Sequence, residues 1–391
     1  MRILMGAIRF PPAPGGAETH VFEISKELLN RGHDVKVLTS DLYRETPFVR
    51  LGEEFSNVHG IQVKRFRAFT PGGEYHYVIF PGVVGGMLKE KADIIHVHSY
   101  GYFHVNVAAF IRKIKRIPMV ITPHFHPEWS MWGGERRKRM RRFYDRFIAG
   151  AVLDSAEVII GVSNHEIQQM KEYLRFDDSK VRYIPNGIDF SRFETIPDGR
   201  IFREKYGIPE EAHLILYTGR LAVNKGLDVL LRAFSLVLKV HPDSWLALVG
   251  DDHGMGDRLR SLSTELGISK RVIFAGHIHE RLFRESYGAA DVFVLPSEYE
   301  AFGIVLLEAL ACEVPCVATR VGGVPEVVRD GVDGYLVDYG DSRKLARAIN
   351  GLLSDPAERK RMGKAGRNRV RKEFTWKKVV EKIEAVYYEI V

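Results

Sequence analysis

Two glutamates, Glu300 and Glu308, stand eight positions apart in PSEYEAFGIVLLEALA, residues 296–311. An ionised carboxylate only accepts hydrogen bonds and can take two donors at once, so it suits the paired hydroxyls of a sugar. Glu300, together with Ser297 and Glu298, precedes a helix that the apolar spacing predicts from about Phe302. An acidic side chain there also caps a helix and complements its dipole, so position alone leaves both roles open. Glu308 lies deeper, among Leu306, Leu307 and Leu310, in a helix that must be largely buried. A buried carboxylate without partners is costly, and a ribose diol would satisfy it.

The stretch YTGRLAVNKG, residues 217–226, puts Arg220 and Lys225 between an apolar strand and the helical KGLDVLLRAF. Two fixed cations before a helix suit a diphosphate; a charged surface loop is the alternative. No Asp-x-Asp pair offers a metal to hold phosphates, and Asp251 and Asp252 are adjacent, so their side chains diverge. In PPAPGGAETH, residues 11–20, Gly15 and Gly16 allow a phosphate to approach a helix N-terminus, or simply make a turn. The spacing G-x-G-x-x-G is absent, which argues against a nicotinamide dinucleotide. His96 and His98 in HVHS, and His124 and His126 in PHFHP, are each spaced by two and so line one strand face. Four histidines invite a metal, but no neighbouring carboxylate or cysteine completes a recognisable ligand set, and no metal is expected. His124, at the carboxyl end of its strand, could bond a sugar hydroxyl or orient a leaving group; a structural role is the alternative.

The elements that must position these residues alternate strand, loop and helix. RILMGAI, DVKVLTS, DIIHVHS, MVITPH, EVIIGVS and VRYIPNG are short apolar strands, mostly separated by helical stretches. Apolar periodicity lapses over residues 189–200, which reads as a linker, and the alternation restarts with LILYTGR, WLALVGD, VIFAG, DVFVLPS, PCVATR and GYLV. Near-continuous apolar strands between helices predict parallel sheets covered on both faces. Two doubly wound α/β domains follow, residues 1–188 and 189–374, with a final amphipathic helix over 375–391. Ligands of such sheets sit beyond the carboxyl ends of the strands, and two such domains face to face form a cleft.

A chain of 391 residues that is 45% hydrophobic and 27% charged has globular composition and the length of two domains. No apolar run is long enough to span a membrane, the start lacks the apolar core of a signal peptide, and Cys312 and Cys316 make neither a disulfide framework nor a zinc site. The cytoplasm is the expected compartment. Of the net charge of +7, +5 comes from ERRKRMRRFYDR, residues 135–146, which carries seven basic and two acidic residues. Met140, Phe143, Phe147 and Ile148 fall near one face of a helix there, while Arg136, Arg137, Lys138, Arg139, Arg141 and Arg142 crowd the rest. That pattern suits a helix lying on an anionic membrane surface; an acidic acceptor or plain solvent would also suit it. The aromatics do not interleave as a base-stacking platform requires, so no nucleic acid is expected.

GGAETH, PNGID, GRLAVNKG, PSEYEAFGIVLLEALACEVPCVATRVGGVPEVV and DGYLV occur in an order that resembles the family 4 retaining glycosyltransferases. The resemblance covers nearly the whole chain, and Glu, seven residues, Glu is its most specific part. It implies the glycosyltransferase B fold: two Rossmann-like doubly wound domains facing a central cleft. The first would bind the acceptor and the second the nucleotide-sugar, with the last helix packing back on the first. Carried over residue by residue, Gly15 and Gly16 would lie near the donor phosphates, while Arg220 and Lys225 would hold the diphosphate. Glu308 would bind the ribose. Glu300 would contact the donor sugar, beside the backbone N–H groups of Phe302, Gly303, Ile304 and Val305. His124 would stand by the reacting sugar, and backbone near Gly276 and Ile278 would read the base. The implied activity is metal-independent transfer of a hexosyl group from a UDP- or GDP-sugar to a hydroxyl of a glycan or lipid-linked acceptor. The nucleotide-sugar is a co-substrate and no cofactor is implied. Another sugar-nucleotide enzyme of the same fold, an epimerase or phosphorylase, is the alternative, and the ordered GRLAVNKG and EAFGIVLLE elements argue against it. A cytoplasmic protein, peripheral on the inner membrane face, completes the expectation.

Overall fold

A computed structural model describes residues 1–44, 47–70, 77–127 and 134–391. The chain forms two compact units, one of Met1–Asn186 with Trp376–Val391 and one of Gly187–Thr375.

The first unit contains β1 (Arg2–Gly6), β2 (Asp34–Ser40), β3 (Leu42–Arg44), β4 (Val49–Arg50), β5 (Phe55–Val58), β6 (Ile61–Phe66), β7 (Ile94–His98), β8 (Met119–Thr122), β9 (Val158–Gly161) and β10 (Val181–Tyr183). Its helices are α1 (Gly16–Asn30), α2 (Gly82–Lys89), α3 (Phe103–Lys115), α4 (Gly134–Phe147), α5 (Ala149–Asp154) and α6 (Asn164–Tyr173). The eight-stranded sheet has the order β10-β9-β8-β7-β1-β2-β6-β5, parallel except for the edge strand β5. β7, β8 and β9 are buried at every position, as their apolar sequences require of strands covered on both faces. β5 and β6 lie outside the apolar runs of the sequence because β6 alternates: Ile61 and Val63 are buried and Gln62 is exposed.

The second unit has β11 (Leu214–Thr218), β12 (Trp245–Val249), β13 (Val272–Gly276), β14 (Val292–Leu295), β15 (Cys316–Thr319) and β16 (Gly334–Val337). With them come α7 (Arg200–Tyr206), α8 (Leu227–Val237), α9 (Gly256–Glu265), α10 (Glu280–Ala289), α11 (Ile304–Ala311), α12 (Val324–Val327), α13 (Ser342–Ser354) and α14 (Pro356–Glu373). All six strands are parallel, in the order β13-β12-β11-β14-β15-β16. The order reverses between β11 and β14, so the loops after these two strands flank the switch point where such sheets bind ligands. The stretch after Asp189 is not a free linker. Phe193 is 1% exposed in the core of this unit, and the Arg367 guanidinium donates to its carbonyl at 2.9 Å.

The last helix, α15 (Trp376–Ile390), packs on the first unit. Val379, Val380 and Ile383 join a core with Ile3, Met5 and Val37. Arg31 pairs with Glu384 at 2.9 Å, and Tyr387 Oη meets His96 Nδ1 at 2.6 Å.

Glycines close the carboxyl edge of the second sheet. Gly219 and Gly250 follow β11 and β12, with φ of 143° and 141°. A Cβ on Gly250 would stand 2.0 Å from the Gly219 carbonyl oxygen. Gly226, the N-cap of α8, has φ 61°, and a Cβ there would stand 2.1 Å from the Pro296 carbonyl oxygen. Neither contact leaves room for a side chain, because the opposing atoms are backbone. Gly226→Ala should therefore destabilise the protein by more than about 1 kcal/mol. Gly351, inside α13 with nothing near its Cβ position, is the contrast: Gly351→Ala should stabilise by up to about 1 kcal/mol. Thermal unfolding midpoints of the two variants should move in opposite directions.

Candidate active site

The loop after β11 carries Arg220 and Lys225, and the loop after β14 carries Ser297 to Gly303. The Glu298 N–H donates to the Asn224 carbonyl at 3.0 Å, tying the loops together. Across this join Lys225 Nζ meets Glu300 Oε2 at 2.7 Å, with side chains 14% and 19% exposed. Ser297 Oγ also reaches Glu300 Oε2, at 3.3 Å. Arg220 is exposed and has no carboxylate partner among the described residues; its carbonyl accepts from Tyr217 Oη at 2.9 Å. The site thus holds one cation already paired and one available.

Glu300 is fixed by two glycines that the sequence reading assigned no role. The Gly323 N–H donates to the Glu300 carbonyl at 3.0 Å. A Cβ on Gly322 (φ 53°) would stand 1.8 Å from that oxygen, and one on Gly323 2.3 Å from the Ala301 carbonyl oxygen. The turn then enters α11 through Phe302, which is 2% exposed, and Gly303, whose φ of 89° makes it the N-cap. The N–H groups at the start of a helix, here those of Ile304 and Val305, favour negative charge.

Glu308 differs from the sequence expectation. It is not a buried carboxylate lacking partners, because Tyr287 Oη donates to its Oε2 at 2.7 Å. Tyr287 in turn lies 2.8 Å from Thr218 Oγ1 at the end of β11. With the Tyr287 proton given to Glu308, Thr218 must donate to Tyr287. Burial raises the Glu308 carboxyl above the ordinary range, and the Tyr287 hydrogen bond opposes that rise. Oε1 has no hydrogen-bond partner among the described residues, so half of the carboxylate is open to a ligand.

Gly276 ends β13 with φ 64° and open space at its Cβ position. It accepts from the Gly250 N–H at 3.0 Å. β13 stands two strands from β11, a lateral separation of roughly 10 Å. The partly buried Ile278 side chain packs against the core of the second unit.

In the first unit, Gly15 and Gly16 part company. Gly15 has φ 149°, and a Cβ there would stand 2.0 Å from Glu18 Oε2, a carboxylate paired with Arg9 at 2.7 Å. Gly16, the first residue of α1, has nothing within 4 Å of its Cβ position. No internal contact requires glycine at residue 16. His124 follows β8 with φ 46°, in the left-handed region that non-glycine residues seldom occupy and that clusters at functional sites. Its Nε2 is buried without a partner among the described residues, and burial lowers the imidazole to about 4, so it is neutral near pH 7. His96 is structural: Nδ1 meets Tyr387 Oη at 2.6 Å and Nε2 meets Thr122 Oγ1 at 2.8 Å. His126 is partly exposed, and burial lowers it too to about 4.

The basic stretch forms α4, and its apolar face points to solvent. Met140, Phe143 and Phe147 are 62%, 59% and 63% exposed, and the two phenylalanine rings lie 5.0 Å apart. Arg139 and Arg142 are exposed, while Lys138 is engaged by Glu135 at 2.9 Å. Arg141 departs from the expected patch. Its side chain is 10% exposed, pairs with Asp145 at 2.6 Å and stacks over Tyr100 at 4.3 Å, so it ties α4 down rather than facing a partner. The side chains of Arg136 and Arg137 lie outside the described residues. No described helix is long and apolar enough to cross a membrane.

Comparison with known proteins places this geometry in a lineage. The family described as glycosyl transferases group 1 matches residues 198–369, and Glycosyltransferase Family 4 matches residues 14–192. A D-inositol 3-phosphate glycosyltransferase of Corynebacterium jeikeium is 32% identical, over 96% of this chain and 92% of its own. An N-acetyl-alpha-D-glucosaminyl L-malate synthase of Bacillus anthracis is 29% identical over 100% of this chain and 98% of its own. Among solved structures, the HepE protein of Anabaena, crystallised in complex with UDP, superposes with a TM-score of 0.78 at 24% identity, covering 100% of both chains. A glycosyltransferase of Rickettsia africae superposes at 0.79 and 20% identity, covering 100% of this chain and 98% of the other. These structural matches show the glycosyltransferase B fold, with its two Rossmann-like domains. The chain belongs to the family 4, group 1 glycosyltransferases.

Proposed function

We propose that this glycosyltransferase is a retaining hexosyltransferase that moves a sugar from a UDP- or GDP-sugar to an acceptor hydroxyl. The observation that carries the proposal is the Lys225–Glu300 pair, its lysine in the same loop as Arg220, which has no carboxylate partner among the described residues, at the switch point of the second sheet. A donor diphosphate would draw Lys225 and Arg220 to its oxygens. Glu300, released from Lys225, would then accept from sugar hydroxyls, while Glu308 Oε1 accepts from the ribose. As the sugar–phosphate bond breaks, negative charge grows on the β-phosphate, and the two cations stabilise it. No metal is needed to hold the phosphates, and the nucleotide-sugar serves as co-substrate rather than cofactor. The leaving phosphate oxygen can take the acceptor proton on the face from which it departs, which retains the anomeric configuration and requires no general base.

Residues 1–188 take the acceptor in this reading. The acceptor class is a glycan or lipid-linked hydroxyl. Two relatives carry inositol 3-phosphate and L-malate in their names, so those compounds belong in the acceptor panel. The reading is tested by incubating the protein with UDP- and GDP-hexoses and this panel, and assigning the anomeric configuration of any product by proton NMR. A product with the donor's configuration supports it; an inverted product overturns it.

The exposed apolar face of α4 favours one addition, peripheral association with anionic membrane on the cytoplasmic side. Arg139, Arg142 and the Phe143–Phe147 pair supply charge and apolar area together. Co-sedimentation with phosphatidylglycerol vesicles, weakened by Phe143→Ser with Phe147→Ser and absent with phosphatidylcholine, is the expected outcome. Equal sedimentation of variant and wild type contradicts it.

Arg220→Ala and Lys225→Ala should each lower kcat about 10²–10³-fold. Gly16→Ala should leave the unfolding midpoint unchanged, because its methyl group meets no protein atom among the described residues. Donor binding should also depend on pH. A ribose diol donates to ionised Glu308, so affinity should fall as pH drops through its raised pKa. Tyr287→Phe removes a donor that favours ionisation, so the loss should move to higher pH. Calorimetric titration with UDP or GDP between pH 5 and 8 reads both effects.

A further inference from the structure

Glycosyl transfer leaves two buried imidazoles of the first unit without a task. His20 lies in α1, in the GGAETH segment, and is 1% exposed; His98 ends β7 and is 0% exposed. Their ring centroids lie 4.8 and 5.8 Å from that of His124. A ring nitrogen from each of the three lies within 4.8 Å of the others, so some point stands within about 2.8 Å of all three. A zinc–imidazole bond is about 2.0–2.1 Å, and small ring movements would close the difference.

The hydrogen bonds around the group fix its chemistry. His20 Nδ1 lies 2.6 Å from Asn186 Oδ1. That oxygen only accepts, so Nδ1 carries the proton and Nε2 keeps a bare lone pair. Metal-bound histidines are oriented in this way, by donating their other N–H to an oxygen. Among the described residues His20 Nε2 is buried with no partner, as are both nitrogens of His98 and Nε2 of His124. Buried polar atoms are normally paired, and unpaired nitrogens converging on one place indicate a ligand there. His96 is excluded because both its nitrogens are engaged. His104 donates Nε2–H to the His98 carbonyl at 2.8 Å and holds the end of β7 in place.

We infer that His20, His98 and His124 form a three-imidazole site for a divalent transition ion of the zinc class, with water as fourth ligand. Three neutral nitrogens and no carboxylate select zinc, cobalt, nickel or copper over magnesium or calcium. The site rests on residues of the first unit alone, whether or not the sugar-transfer reading holds. An ion bound there would occupy His124 Nε2 and so compete with its contact to a sugar.

The test is titration of chelator-stripped full-length protein with Co²⁺, followed by displacement with Zn²⁺. The expected result is one Co²⁺ per chain with visible absorption bands of four-coordinate cobalt, bleached by stoichiometric Zn²⁺, and a Zn²⁺-dependent rise in the unfolding midpoint. His98→Ala and His20→Gln should each weaken Co²⁺ binding at least tenfold, while His126→Ala, outside the group, should bind as wild type. Wild-type protein that gives no cobalt bands and retains no stoichiometric zinc overturns the inference, whatever the variants do. So does a folded His98→Ala protein that binds Co²⁺ like wild type.

Discussion

The candidate donor site depends on backbone meeting backbone at the carboxyl edge of the second sheet. Gly226 sits against Pro296, Gly250 against Gly219, and Gly322 and Gly323 against Glu300 and Ala301. None of these contacts admits a Cβ. They bring the loops after β11 and β14 close enough for Lys225 to reach Glu300 at 2.7 Å. Any side chain at these glycines would push the loops apart, and a charge pair this short would not survive the movement. Packing that looks like turn chemistry is therefore what sets the geometry of the charged groups.

Electrostatics then follow from that placement. Lys225 and Glu300 neutralise each other in a partly buried setting, where an unpaired charge of either sign would be costly. In the proposed reading a diphosphate would offer Lys225 a stronger partner, so donor binding would rearrange the pair rather than fill a preset hole. Glu308 is prepared differently. The chain from Thr218 through Tyr287 to Glu308 anchors one carboxylate oxygen from the end of β11 and leaves the other for a ligand. The two glutamates of one motif thus have different partners, in keeping with one meeting a sugar and the other a ribose.

Much of this was legible in the sequence for physical reasons. Apolar runs such as LILYT and VFVL can only be strands buried on both faces, and their alternation with helices gives parallel sheets. Arg220, Lys225 and Glu300 were recognisable because they follow such strands, where ligands bind. Other features depend on distance in space and leave no local signal. Tyr287 is 21 residues from Glu308, so its bond could not be foreseen from a motif. Arg141 reads as one more cation in a basic run, yet Asp145 and Tyr100 turn it inward. The histidines show the same limit. Spacing paired His96 with His98, whose rings do lie 4.2 Å apart, and His124 with His126, whereas the three-imidazole group draws one member from each pair and adds His20 from α1. An H-x-H spacing reports a shared strand face but not what the neighbouring strand or helix brings to it.

The central claim is that the loops of the second unit hold a nucleoside diphosphate. The most direct measurement is the thermal unfolding of the unmodified protein with millimolar UDP, GDP, ADP and NAD in turn. Ligand at 100 times its dissociation constant stabilises by about 2.7 kcal/mol. The account predicts that UDP or GDP raises the midpoint and NAD does not. No rise with any nucleoside diphosphate, or an equal rise with NAD, would contradict it.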